Sequence, residues 1–197
     1  MNGIDTIFKT AEKLFSEKSF SSVSMDQIAQ KSGMSKGNLY HHFESKEDLY
    51  NQLLLNCHQQ VADLLKETES IEGTYLDKIR FFVREHLKIL MFDPQKTKLL
   101  LKEFSDLIDR NSIKKNKRTF LLKNFERVTN LIDQAKNNNE ITRTCDSKLL
   151  ALQFLFPTLS FLVFQSLVEE LTGESDPQIN INLLDQMIEN LINGLVK

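Results

Sequence analysis

The stretch from residue 24 to residue 46, SMDQIAQKSGMSKGNLYHHFESK, restricts the fold more than any other part of the chain. It reads as two short helices joined by a tight turn, with a third helix starting at its end. Ser24 is a good N-cap, and Gln27, three residues on, completes a capping box. Ile28 and Ala29 make the apolar face of the first helix. Within Ser32-Gly33-Met34, Gly33 supplies the left-handed backbone position that ends a helix. Ser35 caps the second helix, whose inward side is Leu39, Tyr40 and Phe43. Ser45 caps the next, with Glu47 and Asp48 in its first turn, where carboxylates suit the helix dipole. Helix, glycine turn and helix make the spacing of a helix-turn-helix, whose second helix enters the DNA major groove.

Helical periodicity continues on both sides. Before the turn, Ile4, Ile7, Phe8, Ala11, Leu14 and Phe15 share one face of a helix expected over about Asp5 to Lys18. With the two helices of the turn it closes a three-helix bundle, with Phe20 and Val23 plugging its small core. Such a bundle is marginal alone and has to lean on the rest of the chain. Further helices are expected over about Lys46–Glu67, Leu76–Met91, Gln95–Asp109, Arg118–Lys136, Ser147–Leu171 and Ile179–Leu195. The fold class is therefore all-α, with about nine helices: an N-terminal bundle over 1–46 and a helical remainder over 47–197.

The last two of these helices carry much apolar surface. The one over Ser147–Leu171 is nearly apolar all round and has to be enclosed, while Leu184, Met187, Ile188, Leu191, Ile192 and Leu195 form a clean seam on the other. The functional reading is a homodimer interface built as a four-helix bundle; the plain alternative is packing onto the preceding helices. Leu149 to Val168 is uncharged for 20 residues, but Gln153, Thr158, Ser160, Gln165, Ser166 and a central Pro157 favour a helix buried in protein over a membrane span.

Composition removes several function classes. The formal net charge of −2 gives no global drive toward nucleic acid, and residues 1–50 hold six Lys against seven Asp or Glu. Locally the balance reverses, since Lys31, Lys36 and Lys46 face Glu44 alone over residues 31–46. Cys57 and Cys145 have no metal-motif spacing, which suits free thiols in a reducing cytoplasm. The first fifteen residues have no continuous apolar run of the signal-peptide kind. No E-x-x-H or H-E-x-x-H occurs and neither cysteine has a motif partner, so neither an enzyme, a metal site nor a cofactor is expected. Arg110 to Arg127 is the largest basic cluster, with seven Lys or Arg and one acid, and reads as a solvated link and helix face.

The run SKGNLYHHFESKEDLY, after a short helical start and before some 150 further helical residues, resembles the TetR family of bacterial transcriptional regulators. Gly33, Ser35, Lys36, Gly37, Leu39, Tyr40, His42, Phe43, Lys46 and Leu49 stand where that family pattern places such residues, over about residues 5–55. The Lys-Gly-Asn start of the second helix is most similar to the multidrug-binding branch that represses efflux pumps. The family often has Gly near position 19, where this chain has Ser19.

The resemblance implies a DNA-binding set of Ser24, Ser35, Lys36, Gly37, Asn38, Tyr40, His41, His42 and Lys46. Lys36, in the first turn of the second helix, is placed to donate to guanine O6 and N7. Gly37 costs about 1 kcal/mol of helix propensity relative to Ala, which makes sense where backbone must approach DNA closely. Tyr40 and His42 match positions that hold phosphate oxygens, and such contacts fix register rather than sequence. Lys46, with nearby backbone N–H groups at a helix start, suits a phosphate as well. A small apolar or amphipathic effector would sit among phenylalanines and a few polar groups, the candidates being His58, Phe82, His86, Glu103, Phe120, Phe154, Thr158 and Phe161. The expected protein is thus a cytoplasmic, homodimeric repressor that binds a palindromic double-stranded operator and is released by a small molecule, with no membrane partner. A helical protein–protein adaptor that does not bind DNA is the alternative.

Overall fold

The computed structural model describes residues 3–108, 118–141, 145–173 and 177–195. Its elements are α1 (Gly3–Glu17), a single 3-10 turn (Phe20–Ser22), α2 (Met25–Ser32), α3 (Lys36–His42), α4 (Lys46–Ser70), α5 (Tyr75–Phe92), α6 (Pro94–Ile108), α7 (Arg118–Asn137), α8 (Ser147–Thr172) and α9 (Pro177–Asn193). The fold is all-α, as the periodicity predicts. Pro94 opens α6 at the first helical position, where its missing N–H is no loss, and the Asp93 side chain accepts from Lys96 N at 3.2 Å. Of the basic cluster, residues 110–117 lie outside the described residues.

Contacts sort the chain into two compact units, one of residues 1–59 with 93–120 and one of residues 60–92 with 121–197. The first unit is built on α1, α2, α3, the start of α4, and α6. Its core gathers Ile7, Ala11, Leu14 and Phe15 of α1, Val23, Ile28 and Ala29, Leu39 and Phe43 of the turn motif, Leu49 and Leu53 of α4, and Leu99 of α6. Phe15 meets Tyr50 edge-on at 5.0 Å between ring centroids. Phe20 is not buried as a core plug would be. It is 40% exposed, stacks on Phe15, and lies under the Lys46 ammonium, which sits 4.3 Å from its ring centre. Val23 is buried as expected.

The C-terminal end of α1 has an unusual cap. Lys102, on α6, donates from Nζ to the carbonyls of Phe15, Ser16 and Lys18. These belong to the last turn and its exit, where carbonyls lack helical partners and a cation also meets the negative end of the dipole. One side chain thereby ties α6 to α1.

The second unit packs the end of α4 with α5, α7, α8 and α9 around Leu65, Ile79, Phe82, Leu87, Ile132, Ala135, Phe154 and Ile192. Arg80 and Arg84 of α5 reach Glu189 and Asp185 of α9, in each case through two guanidinium N–H donors to the two carboxylate oxygens. Glu140 accepts from Tyr75 N and Leu76 N, so it caps α5 from a distant loop. The apolar character of α8 is only partly enclosed within the chain: Leu149, Leu152, Val163, Leu167 and Leu171 are exposed, as is Met187 on α9. Among the described residues no helix is long and apolar enough to cross a membrane.

Candidate nucleic-acid interface and a small cavity

The turn motif is formed by local capping. The Ser24 side chain accepts from Gln27 N and the Gln27 side chain accepts from Ser24 N, both at 3.2 Å, which closes the capping box. Gly33 sits at φ 69°, and Met34 N returns to Ala29 O at 3.0 Å, ending α2. The Ser35 side chain then accepts from Asn38 N at 3.1 Å and starts α3. Ser45 repeats the device for α4, accepting from Asp48 N at 3.0 Å.

The seven-residue α3 is held by Leu39, which is fully buried, and by Phe43 just beyond its end. Everything else from Ser35 to His42 is exposed, so Ser35, Lys36, Gly37, Asn38, Tyr40, His41 and His42 form one continuous outward surface. Tyr40 belongs to this surface and not to the inward side, since it is 48% exposed. An ideal Cβ built on Gly37 meets nothing within 4 Å, and its φ is ordinary for a helix. The fold itself therefore has no need of glycine there.

Two lysines of the candidate set are already engaged. Lys36 Nζ lies 2.7 Å from Asp26 Oδ1, and this hydrogen bond raises the lysine pKa. Asp26 comes from the first turn of α2, ten residues away, and no periodicity signals that pairing. Lys46 Nζ donates to Phe20 O and Val23 O at 2.7 and 2.8 Å, and so pins the link between α1 and α2.

The effector candidates fall into separate places. In the first unit a cavity of about 190 Å³ is lined by Asn51, Gln52, Leu54, Leu55, His58, Glu103 and Phe120. His58 Nε2 and Glu103 Oε2 are 2.8 Å apart, and both side chains are more than nine-tenths buried. Asn51 Oδ1 is buried with no hydrogen-bond partner among the described residues, a state that costs about 1–3 kcal/mol. Asn51, Leu54, Leu55 and His58 follow i, i+3, i+4, i+7, so the stripe was present in the sequence, but two polar residues on it hid the pattern.

In the second unit, Phe82 and Phe154 are buried among the core residues. His86 stacks on Phe82 at 5.4 Å between centroids, with an interplanar angle of 9°. Burial holds its pKa down to about 4, and its Nδ1 has no partner among the described residues. Thr158 and Phe161 lie on α8, and their side chains are outside the described residues. Burial also pushes the Cys57 thiol up to about 12, which leaves it unreactive.

Two capped helices about a glycine turn, packed on a third and presenting one short exposed helix, define a helix-turn-helix protein of all-helical build. The model of the family described as bacterial regulatory proteins, tetR family, matches residues 7–53, the stretch that holds the turn motif. Over 81 residues it is 32% identical to the biofilm operon icaADBC HTH-type negative transcriptional regulator IcaR of Staphylococcus epidermidis, a match covering 39% of this chain and 44% of that protein. The Staphylococcus aureus IcaR matches at 29% over 83 residues, or 42% and 45% of the two chains. The chain thus spans less than half the length of these curated relatives. A Clostridium perfringens protein described as a fatty acid metabolism regulator superposes with a TM-score of 0.79 at 21% identity, covering 98% and 99% of the two chains. FadR from Bacillus subtilis, solved in complex with stearoyl-CoA, does so at 0.73 and 17%, again over 98% and 99%. At these identities the likeness is one of fold.

Proposed function

We propose that this chain is a cytoplasmic, ligand-responsive transcriptional repressor that binds a palindromic operator as a homodimer. The observation that carries the reading is the exposed surface of α3, a seven-residue helix with one buried anchor, capped at its start and led by a lysine and a glycine. In this reading residues 1–46 form the DNA-binding head and 47–197 the effector-binding and dimerisation part. The match of residues 7–53 to the family model and the named role of IcaR as a negative regulator support it. Lys36 reads a base edge, with Asn38 beside it, while Ser24, Ser35, Tyr40, His41, His42 and Lys46 serve the phosphates. Dimer symmetry sets half-sites about 34–36 Å apart, or a multiple of that. The exposed leucines of α8 supply the dimer face.

The effector acts through α4, which begins at the head and runs on to Ser70. A ligand that favours one tilt of α4 changes the spacing of the two heads. It shifts the balance only by its differential affinity, about 5.5 kcal/mol for a switch from 1:99 to 99:1. An efflux-pump role and a multidrug ligand follow only from the likeness of the recognition helix. The stearoyl-CoA complex of FadR sets one further ligand class to try.

A gel-shift series over symmetric duplexes from the chain's own genome tests the reading. Binding should fall steeply with salt as counterions are released. Lys36→Ala should lose about 1–3 kcal/mol and relax discrimination at one base pair. Salt-independent capture of a protein partner without any DNA shift would favour a helical adaptor instead.

A further inference from the structure

We propose that the cavity of the first unit is a binding site for a ring-sized, uncharged molecule that donates a hydrogen bond, of the phenol class. The proposal gives a ligand chemistry to the regulator reading above and rests on that reading for its biological meaning. Three observations converge on it.

The first is the wall chemistry. His58 and Glu103 form a buried pair at 2.8 Å, and Asn51 stands nearly two turns before His58 on the same stripe of α4. A cavity wall meant only for packing needs no such pair, because apolar residues of similar volume replace a buried ion pair without loss. The second is the sense of the hydrogen bonding. A carboxylate only accepts, and the Asn51 amide carries an acceptor oxygen that is buried and unpaired among the described residues. A ligand seated here is selected for the N–H or O–H that it brings. The third is size and surface. Gln52, whose side-chain amide donates to Asp48 Oδ1 at 3.0 Å, adds one more polar group, Leu54, Leu55 and Phe120 make the rest of the wall apolar, and the volume is about 190 Å³. An apolar cavity of about 150 Å³ accepts benzene. One aromatic ring with a small polar substituent matches this space, whereas a long acyl chain exceeds it. The apolar wall takes the ring, and Asn51, turning its amide toward the ligand, accepts the hydrogen bond of the hydroxyl.

Calorimetric titration of the full chain with phenol, anisole and palmitate tests the assignment. Anisole keeps the ring and replaces the donor hydrogen with a methyl group. Phenol is expected to bind at least tenfold more tightly than anisole, and palmitate should not displace it. Asn51→Leu should bring the phenol-to-anisole ratio close to one while anisole still binds, which also reports that the variant is folded. Leu55→Trp, at a half-exposed position on the wall, should fill the space and weaken phenol more than tenfold. Equal affinity for phenol and anisole, an unchanged ratio in Asn51→Leu, or full phenol affinity in Leu55→Trp would overturn the proposal. Operator binding followed in parallel separates the two readings. Phenol that binds with this donor preference but leaves the operator complex intact upholds the site and removes its effector role. Release by palmitate from a chain that ignores phenol removes the site and keeps the effector role.

Discussion

Gly37→Ala separates the demands of the fold from those of the duplex, because it should move them in opposite directions. Gly37 is the second residue of α3, after Lys36. The added methyl meets nothing within 4 Å, so the free protein accepts it without strain. Alanine is favoured over glycine by about 1 kcal/mol in a helix interior. Near a helix start about half of that is expected, or roughly 0.5 kcal/mol. For a chain of this size 1 kcal/mol corresponds to about 2–4 °C in Tm, so the variant should melt about 1–2 °C higher. On the DNA side the same methyl enters a surface that has to close against base edges and phosphates. An extra methyl in a well-packed contact costs about 1–3 kcal/mol, a loss of about 5- to 150-fold in affinity. Thermal melting and a fluorescence-anisotropy titration on one operator duplex measure the two sides. A raised Tm with unchanged operator affinity would refute a close approach at Gly37. A Tm several degrees lower would refute the open space around it.

Other positions give independent checks. Gly33→Ala places a side chain at φ 69°, in the left-handed region, and should cost about 1–2 kcal/mol in urea unfolding. His58→Leu alone leaves Glu103 buried without this partner and should cost about 3–5 kcal/mol, while the double variant with Glu103→Leu should recover most of it; additive losses would contradict the pairing. His86 carries a pH signature. Its folded pKa is near 4, below the ordinary 6.5, so the unfolded chain binds the proton first as pH falls. Its contribution is full above pH 6.5 and is lost between about 6.5 and 4, amounting to about 3 kcal/mol. His86→Leu should flatten stability over that window, and a slope identical to that of the parent would show that another group titrates there.

Much of the turn motif was legible in the order of residues. The capping box of Ser24 and Gln27, the glycine stop at Gly33 and the caps at Ser35 and Ser45 all form as the order of residues predicts. So do the buried Leu39 and Phe43, and the helix boundaries hold to within a few residues. These features depend on contacts three or four residues apart, and such contacts are written directly in the spacing of side chains. Phe20 falls outside that rule, because its surroundings are set by a distant residue. Its apolar ring suggests a core position, whereas it stacks on Phe15 from the surface and receives a lysine from twenty-six residues away.

The chain order by itself determined the helical class, the turn motif and the short helix that follows it, because each is settled within one or two helical turns. Tertiary structure alone decided that α6 caps α1 through Lys102, that Asp26 holds Lys36, that Lys46 pins the first link, and that Asn51, His58, Glu103 and Phe120 share one cavity. Helical periodicity states which face of each helix is apolar. It does not state which other helix that face will meet, and every one of these contacts depends on that choice.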